Sequence, residues 1–296
     1  MNIKQTTRGV ILSENAYYAN CRVTSTATYK KNKAKSKEVA RENGVKESDV
    51  KIDVRVFDEA LTKKINTLGS RIRNHHYHMT FEIPSEGGTQ SRGARLISAR
   101  LVEDYLLEIN SMCDEYLNEA DSLVQDYEQK LEDRKVRLGD LFDANAYPSP
   151  EQVRSAYYAV VWVDKIPVIE GLDIGQFTES NRKIAEQREQ EAVRQVTDEL
   201  VGRMLKKTIN IRDKMEKKLR GDQTRIGEAV FDSLRELCED IIPASNFEGN
   251  EELVALAEEA KSLYRYNPEA LKTTTGAQKS IAKQAKALEK KLNDFM

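Results

Sequence analysis

The longest regular pattern of apolar side chains lies between Ser98 and Leu138. Apolar residues recur there in steps of 4, 4 and 3, and Tyr105, Tyr116 and Tyr127 follow one another at intervals of 11. Such a repeat corresponds to about 3.67 residues per turn, close to the ~3.6 of an α-helix, so one apolar face stays almost straight. The pattern predicts one uninterrupted helix over this range, with a glycine at its C-terminal end.

A second long segment, from Glu179 to Arg220, repeats this scheme and is followed by Gly221. Its apolar positions also recur at helical spacing: Val193, Leu200, Met204, Ile211 and Met215. Long helices with nearly straight apolar faces pack against each other or against a neighbouring subunit. We therefore expect long antiparallel helices in an elongated bundle.

Three segments favour extended structure and predict a small β-sheet in the N-terminal half. Gly9 to Val23 is punctuated by turn-forming residues, and Tyr77 to Ile83 alternates apolar and polar side chains up to Pro84. Tyr157 to Ile169 is rich in β-branched and aromatic residues.

Shorter helices are predicted beside these strands. Lys33 to Asn43 precedes a glycine, and Asp53 to Asn74 has apolar residues in steps of 3 and 4. Ser149, Pro150 and Gln152 have the spacing of a capping box with proline at the first helical position.

The C-terminal part is predicted to be helical throughout. One helix spans Ile226 to Ile241 and is stopped by Pro243, and Asn250 caps the next. Asn267-Pro268 begins a short helix, and Ile281 to Leu292 lies in a lysine-rich final helix.

These elements predict a mainly α protein of the α+β class with two domains. The boundary is expected at Gly171 to Thr178. It separates an α/β part over residues 1–175, with the small sheet and one long helix, from an all-helical part over residues 176–296.

Charge is distributed unevenly along the chain, although the net charge is only -2. Residues 1–100 carry 19 Lys and Arg against 10 Asp and Glu, whereas residues 101–143 carry 4 against 13. Two interpretations remain open. In one, the basic N-terminal part lies against the acidic helix, either within one chain or between copies. In the other, both segments are solvated faces.

Composition and short patterns exclude several classes of protein. The longest apolar runs, such as Tyr157 to Val163, are too short to cross a bilayer, and Met1 to Arg8 lacks the apolar stretch of a secretory signal. We expect a cytoplasmic protein. Its three cysteines lie far apart, without a CxxC pair, which argues against a disulfide framework or a structural zinc site.

All three histidines of the chain, His75, His76 and His78, fall within four residues. On the predicted strand, His76 and His78 point to the same side, with Glu82 beyond them. A His-x-His pair with a carboxylate holds a transition metal in some proteins, but no distant histidine completes the set. We therefore expect hydrogen-bonded or surface histidines and no metal.

The segment from Gly88 to Gly93 has the outline of a phosphate-binding loop, with four residues between two glycines. Ala94 and Arg95 replace the Lys-Ser/Thr pair that contacts phosphate and magnesium, so we expect a hairpin connection and no nucleotide cofactor. Arg92, Arg95 and Arg100 remain candidates for contacts with phosphates or with a partner's acidic groups.

A basic cluster follows Tyr29, with five lysines within eight residues: Lys30, Lys31, Lys33, Lys35 and Lys37. Such a cluster attracts nucleic acid through counterion release without reading its sequence. Acidic residues soon dilute it, so a solvated loop and helix face is the other interpretation.

No motif of a known catalytic class is present. Nucleophile elbows, HExxH, Rossmann glycines and calcium-binding loops are absent from the sequence. Carboxylates at i, i+4, such as Asp232 and Glu236, lie on polar helix faces rather than in a predicted pocket. We expect no enzyme.

Several segments together resemble one family: Gly9 to Val45, Tyr77 to Thr80, Gly93 to Leu96, Arg137 to Phe142, and Tyr147 to Arg154 with its Tyr-Pro-Ser-Pro sequence. They are similar to uncharacterised tailed-bacteriophage and bacterial proteins of about this length. Genes of that family are often found near MoxR-type AAA+ ATPases, and its members have no assigned catalytic residues. The resemblance implies an AAA+ partner.

The leading hypothesis is a non-enzymatic phage protein without a cofactor, in the cytoplasm of the infected bacterial cell. It would be an elongated helical assembly or adaptor component that forms homo-oligomers and works with an AAA+ ATPase. The alternative is a nucleic-acid-binding module that uses the cluster from Lys30 to Lys37 and the arginines from Arg92 to Arg100.

Overall fold

The fold is mainly α with a small antiparallel sheet, as the sequence predicts. The computed structural model describes residues 11–25, 29–31, 33–51, 53–55, 59–83, 94–142, 147–166, 179–223, 226–266, 271 and 274–296. The expected domain boundary at Gly171 to Thr178 and the helix start at Asn267-Pro268 lie outside these residues, so the two-domain division stays a prediction.

The helices and strands of the described residues are numbered along the chain. The helices are α1 (Ile11–Asn15), α2 (Lys33–Glu42), α3 (Glu59–Met79), α4 (Val102–Gln125), α5 (Tyr127–Leu138), α6 (Pro150–Ala156), α7 (Glu179–Leu219), α8 (Ala229–Glu236), α9 (Ile242–Ser245), α10 (Glu251–Tyr264) and α11 (Thr275–Phe295). The strands are β1 (Ala16–Thr24), β2 (Tyr29–Lys31), β3 (Asp53–Arg55), β4 (Arg95–Ser98) and β5 (Tyr158–Lys165).

The chain forms two compact units built from interleaved segments. Unit 1 contains Met1–Asn20, Met79–Glu103 and Val163–Met296, and unit 2 contains Cys21–His78 and Asp104–Trp162.

The main sheet has the strand order β4-β1-β5, and β1 pairs antiparallel with β4 so that Ala16 lies opposite Ser98. A separate antiparallel ribbon joins β2 and β3. The expected extended segment from Gly9 to Val23 is only partly correct, because Ile11–Asn15 forms α1. Burial of Leu12 and a hydrogen bond from its N–H to the Glu189 carboxylate, 2.9 Å long, accompany this helical turn.

In unit 2, α3 and α4 run antiparallel. His75 of α3 contacts Glu108, Arg71 contacts Glu115, and Lys64 contacts Glu119, so residue numbers fall along one helix as they rise along the other. This arrangement matches the interpretation in which basic N-terminal residues lie against the acidic helix of the same chain. Exposed ion pairs contribute little free energy, so they set the register of the helices more than they stabilise it.

The apolar face of α4 is buried as predicted, and Tyr105, Tyr116 and Tyr127 are almost fully shielded from solvent. The Tyr116 hydroxyl donates a hydrogen bond to the backbone carbonyl of Thr24 at the end of β1. A Cβ atom at Gly69 of α3 would lie only 3.3 Å from Cε2 of Tyr116. Glycine therefore lets the α3 backbone approach the tyrosine ring closely.

The prediction of one uninterrupted helix from Ser98 to Leu138 is wrong. The first residues form a 3₁₀ turn (Ala99–Leu101), and the helix is interrupted at Asp126, between α4 and α5. After the break, the Tyr127 hydroxyl donates to the carbonyl of Pro148 over 2.8 Å. Because a single non-helical residue leaves the apolar spacing unchanged, the periodicity alone does not detect it.

The predicted strand from Tyr77 to Ile83 is also wrong, since α3 continues to Met79. His76 and Met79 are three residues apart and both buried, which extends the apolar face of α3 by one more turn. Only Phe81 pairs in extended fashion, through two hydrogen bonds of 2.8 Å with Leu96 of β4.

In unit 1, α7 is a single helix of 41 residues whose range matches the prediction, and Gly221 beyond it has a φ of 88°. Its apolar face packs mainly against α11, with further contacts to α8 and α10. Lys291 lies 2.7 Å from Glu259 and Ser280 lies 3.1 Å from Tyr266, so α10 and α11 run antiparallel.

The helix predicted to stop at Pro243 instead runs through it. Between α8 and α9, Leu237–Ile241 forms a π-helical turn, and the proline sits at the start of α9. Proline lacks an N–H group and cannot join a regular helical ladder, and a change of helical register is one way to accommodate it.

Both predicted helix caps are confirmed. The Ser149 hydroxyl accepts a hydrogen bond from the Gln152 N–H, while the Gln152 side chain accepts one from the Ser149 N–H, which completes the capping box. The Asn250 side chain accepts a 3.0 Å hydrogen bond from the Leu253 N–H at the start of α10. These contacts satisfy N–H groups that have no partner within their own helices.

Because one face of α4 is buried and the other is exposed, we expect substitutions on the two faces to change the free energy of unfolding by very different amounts. We expect Tyr116→Asp to lower the free energy of unfolding by several kcal/mol, because it buries an unpaired charge. Tyr116→Phe, which removes only the hydrogen bond to Thr24, is expected to cost about 1 kcal/mol. Denaturant unfolding followed by circular dichroism measures both.

Leu107, on the opposite face of α4 and 66% exposed, supplies the control. Leu107→Asp is expected to change the free energy of unfolding by less than about 0.5 kcal/mol. Equal effects of the two aspartates would show that the tyrosine face is not buried in solution.

Candidate functional site

The basic cluster predicted as a nucleic-acid contact lies in unit 2, on β2 and α2. Lys35 pairs with Glu38 at 2.7 Å, and Lys37 pairs with Glu47 at 3.7 Å. The hydrogen bond with Glu38 is the main cause of the raised pKa of Lys35. Lys33 is exposed, and the side chains of Lys30 and Lys31 lie outside the described part of the chain. Nearby carboxylates therefore reduce the positive field of this cluster.

The candidate arginines belong to unit 1 and have different surroundings. Arg95 of β4 is only 11% exposed, and Arg100 is exposed just after that strand. Arg92 lies outside the described residues, together with the glycine-rich segment from Gly88 to Gly93. The lysine cluster and these arginines are thus parts of different units.

Arg95 is bound within its own unit. Its guanidinium donates to the hydroxyl of Thr80 over 2.7 Å and to the Thr80 carbonyl over 3.1 Å, and it lies 3.3 Å from Glu82. A fourth contact, 3.5 Å long, reaches Glu199 of α7. An arginine held by so many internal acceptors has few donors left for an external phosphate.

A second arginine completes this network and was missed by the sequence analysis. Arg203 of α7 donates to the Thr80 carbonyl and to Glu199, and its guanidinium lies 4.6 Å from the centre of the Phe81 ring. The Glu199 carboxylate also accepts the Glu82 N–H over 3.1 Å. The only signal in the sequence was the i, i+4 spacing of Glu199 and Arg203, which is common on solvated helix faces.

We call Thr80, Glu82, Arg95, Glu199 and Arg203 the arginine network. It fixes the short segment after α3 between β4 and α7 through charge-assisted hydrogen bonds, which are stronger than neutral ones. Its charges are balanced by its own members, so its geometry favours a role in holding the backbone of unit 1 together.

The histidines lie on the helix α3 rather than on a strand, which changes their directions. Residues two apart on a helix point to nearly opposite sides, so His76 and His78 do not share a face. His76 is buried, and its Nδ1 lies 2.7 Å from the Tyr105 hydroxyl. The ring of His75 stacks on Tyr105, with 6.0 Å between centroids. Within the described residues, no three His, Cys, Asp or Glu side chains are grouped so that they could hold a metal ion.

Burial raises the pKa of the aromatic and thiol groups around α4. The pKa of Tyr116, Tyr127 and Tyr157 rises to about 12, and that of Cys113 to about 11, mainly because burial disfavours their charged forms. The pKa of Tyr105 is raised further, for the same reason. These groups stay neutral at physiological pH, so the thiolate that nucleophilic catalysis needs is disfavoured here.

Among the helices that the structure describes, none is both long enough and apolar enough to span a bilayer.

Two i, i+4 ion pairs of α7 are expected to differ in how much they stabilise the protein. The Glu199–Arg203 pair belongs to the arginine network and should contribute much more than the Arg194–Asp198 pair. We expect Arg203→Ala to lower the free energy of unfolding by about 2 kcal/mol, because it leaves the Thr80 carbonyl and Glu199 poorly paired. Arg194→Ala is the matched control, since Arg194 is 79% exposed and pairs with Asp198 of the same helix at 3.8 Å. Its expected cost is less than about 0.5 kcal/mol. Equal costs in denaturant unfolding would contradict the proposed role of the network.

The raised pKa values of Tyr116, Tyr127 and Tyr157 predict a loss of stability at alkaline pH. The ordinary tyrosine pKa of 10.0 applies in the unfolded chain, whereas in the folded protein the pKa is about 12. The stabilisation is therefore complete below pH 10 and is lost as the pH rises towards 12. Unfolding curves across this window, with tyrosinate absorbance, measure the loss.

Tyr116→Phe is expected to make this pH dependence shallower, because one buried phenol is removed. Tyr77→Phe, which removes a half-exposed phenol, is the control. If both variants retain the slope of the unsubstituted protein, the buried phenols are not its source.

Comparison with protein-family models, with curated proteins and with solved structures finds no match to the chain.

Proposed function

We propose that this chain is a non-enzymatic helical assembly or adaptor component that associates with copies of itself through β5. The observation that carries this proposal is a pair of half-exposed aromatic side chains on one face of a strand at the edge of the described sheet. Tyr158 is 46% exposed and Trp162, the only tryptophan of the chain, is 44% exposed.

The two faces of β5 differ in a way that supports this proposal. Ala159 is buried, and the preceding Tyr157 packs against Tyr116 with 6.2 Å between ring centroids, so one face belongs to the core of unit 2. Tyr158, Val160 and Trp162 alternate with these positions and form the other face. Exposed aromatic residues on an edge strand are a common feature of surfaces that bind another chain.

A second copy of the same strand fits this surface because β5 is self-complementary about Val160. In a two-fold, antiparallel pairing centred on that residue, Tyr158 of each copy lies opposite Trp162 of the other. Aromatic pairs across antiparallel strands are favourable, and the backbone groups of two edge strands satisfy each other. A two-fold axis also limits the assembly through this contact to a closed dimer.

The non-enzymatic part of the proposal is supported by the surroundings of side chains that often act in catalysis, because here they contact other parts of the fold. His76 binds the Tyr105 hydroxyl, Arg95 and Arg203 bind the segment after α3, and burial raises the pKa of Cys113. These contacts connect structural elements within each unit.

The resemblance to phage and bacterial proteins encoded near MoxR-type AAA+ ATPases adds a partner and a location to the proposal. The self-associated protein would act as an adaptor for such an ATPase in the cytoplasm of an infected bacterial cell. Isolation of the tagged protein from infected cells, with mass spectrometry of the bound proteins, tests this part. Recovery without any AAA+ ATPase would remove the partner from the proposal.

The strand contact predicts that self-association depends on Tyr158 and Trp162. In sedimentation velocity at micromolar concentration, we expect dimers that shift to monomers in the Tyr158→Ser, Trp162→Ser double variant. Leu107→Ser is the matched control because Leu107 is an exposed apolar residue on the face of α4 opposite Tyr116, and this variant should retain the assembly.

Tryptophan fluorescence gives a second readout, since Trp162 is the only tryptophan. Its emission should shift to shorter wavelength as the protein concentration rises and the indole leaves water. A monomer at every concentration, with unchanged emission, would refute association through β5.

A further inference from the structure

The lysines of α11 form a regular stripe. Lys279, Lys283, Lys286 and Lys290 are separated by steps of 4, 3 and 4, which places all four on one side of the helix. All four side chains belong to exposed residues. We call these four residues the lysine stripe.

The stripe faces away from the core of unit 1. Ile281, Ala285, Leu288 and Leu292 form the buried side of α11, which packs against α7 and α10. Two acidic neighbours on the flanks of the stripe are already engaged, because Glu289 binds Arg212 of α7 and Glu259 of α10 binds Lys291.

The stripe thus differs from the cluster on β2 and α2. Lys35 and Lys37 each have a carboxylate within ion-pair distance. None of the four stripe lysines forms an ion pair or a hydrogen bond with another residue of the described ranges. Their charges are therefore not offset by short-range contacts of that kind.

We propose that the lysine stripe binds the phosphate backbone of a nucleic acid. The stripe is about 16 Å long, since it covers eleven steps of about 1.5 Å. Duplex DNA carries one charge per ~1.7 Å of its axis, so a duplex along the stripe presents on the order of ten phosphates. Four ammonium groups in a row can each contact one of them and release its counterion.

The composition of the exposed side favours a polyanion over a membrane or a protein. Besides the stripe, the exposed residues of α11 are small or polar: Thr275, Gly276, Ala287, Lys291, Asn293 and Asp294. An interfacial membrane helix needs large apolar side chains to insert, and a protein interface needs aromatic or aliphatic anchors. Phosphate binding needs only charge.

Such binding does not depend on base sequence. Lysine ammonium groups act as point charges without the planar geometry that arginine uses to recognise guanine. The stripe therefore supplies affinity and position along the backbone, whereas base contacts would have to come from other residues.

Fluorescence anisotropy with a labelled DNA duplex, titrated at several salt concentrations, tests the proposal. We expect the logarithm of the binding constant to fall with the logarithm of salt concentration with a slope of about -3 to -4, as for four phosphate contacts. Lys279→Gln, Lys283→Gln, Lys286→Gln and Lys290→Gln combined should lower affinity at least about tenfold at low salt and remove most of this slope.

The matched control changes the same number of lysines elsewhere: Lys33→Gln, Lys35→Gln, Lys37→Gln and Lys46→Gln combined. Both variants have the same net charge, and only the stripe variant should lose binding. Circular dichroism and sedimentation velocity of both variants check that folding and self-association are unchanged, which separates this proposal from the one on β5.

Three results of the DNA titrations would overturn the proposal. They are no binding of DNA at low salt, an equal loss of binding in the control variant, or an unchanged slope in the stripe variant. Vesicles of anionic phospholipid and polyglutamate serve as competing ligands. If either binds through the stripe as tightly as DNA does, the assignment to nucleic acid is wrong.

Discussion

Burial of the tyrosine-bearing face of α4 is the constraint on which the packing of unit 2 depends. Tyr105 contacts His75 and His76 of α3, and Tyr116 reaches both the end of β1 and the ring of Tyr157. Each of these large rings combines apolar area with one hydroxyl, and the hydroxyls of both find a hydrogen-bonding partner. The same rings bring together α3, α4, the end of β1 and Tyr157, which directly precedes β5, so the loss of one ring weakens several contacts.

In unit 1, a long helix and a small charged network have complementary roles. The apolar face of α7 is covered mainly by α11. This packing stabilises α7 but does not specify how the short segment after α3, from Thr80 to Glu82, approaches it. Arg203 and Glu199 supply that direction, because they bind backbone groups of Thr80 and Glu82. Fixed hydrogen-bond geometry adds orientation to the non-directional hydrophobic effect.

Charge has three different uses in this chain. Acidic residues of α4 pair with basic residues of α3 and set the register of that helix pair. The arginine network neutralises itself inside unit 1, whereas the lysine stripe of α11 faces solvent. A count of basic residues does not separate these cases, because the difference lies in which carboxylates come within a few ångströms.

The sequence by itself determined most of the helices and several of their ends. The spacing of apolar residues identified α7 over its whole length, and Ser149 and Asn250 marked helix starts through hydrogen bonds to residues three positions away. Only the tertiary structure decided the break at Asp126 and the helical state of His76 and His78. It also decided the position of Arg95 among Thr80, Glu82 and Glu199. These outcomes depend on contacts between residues far apart in the chain, whereas periodicity and capping report only neighbours within about one helical turn.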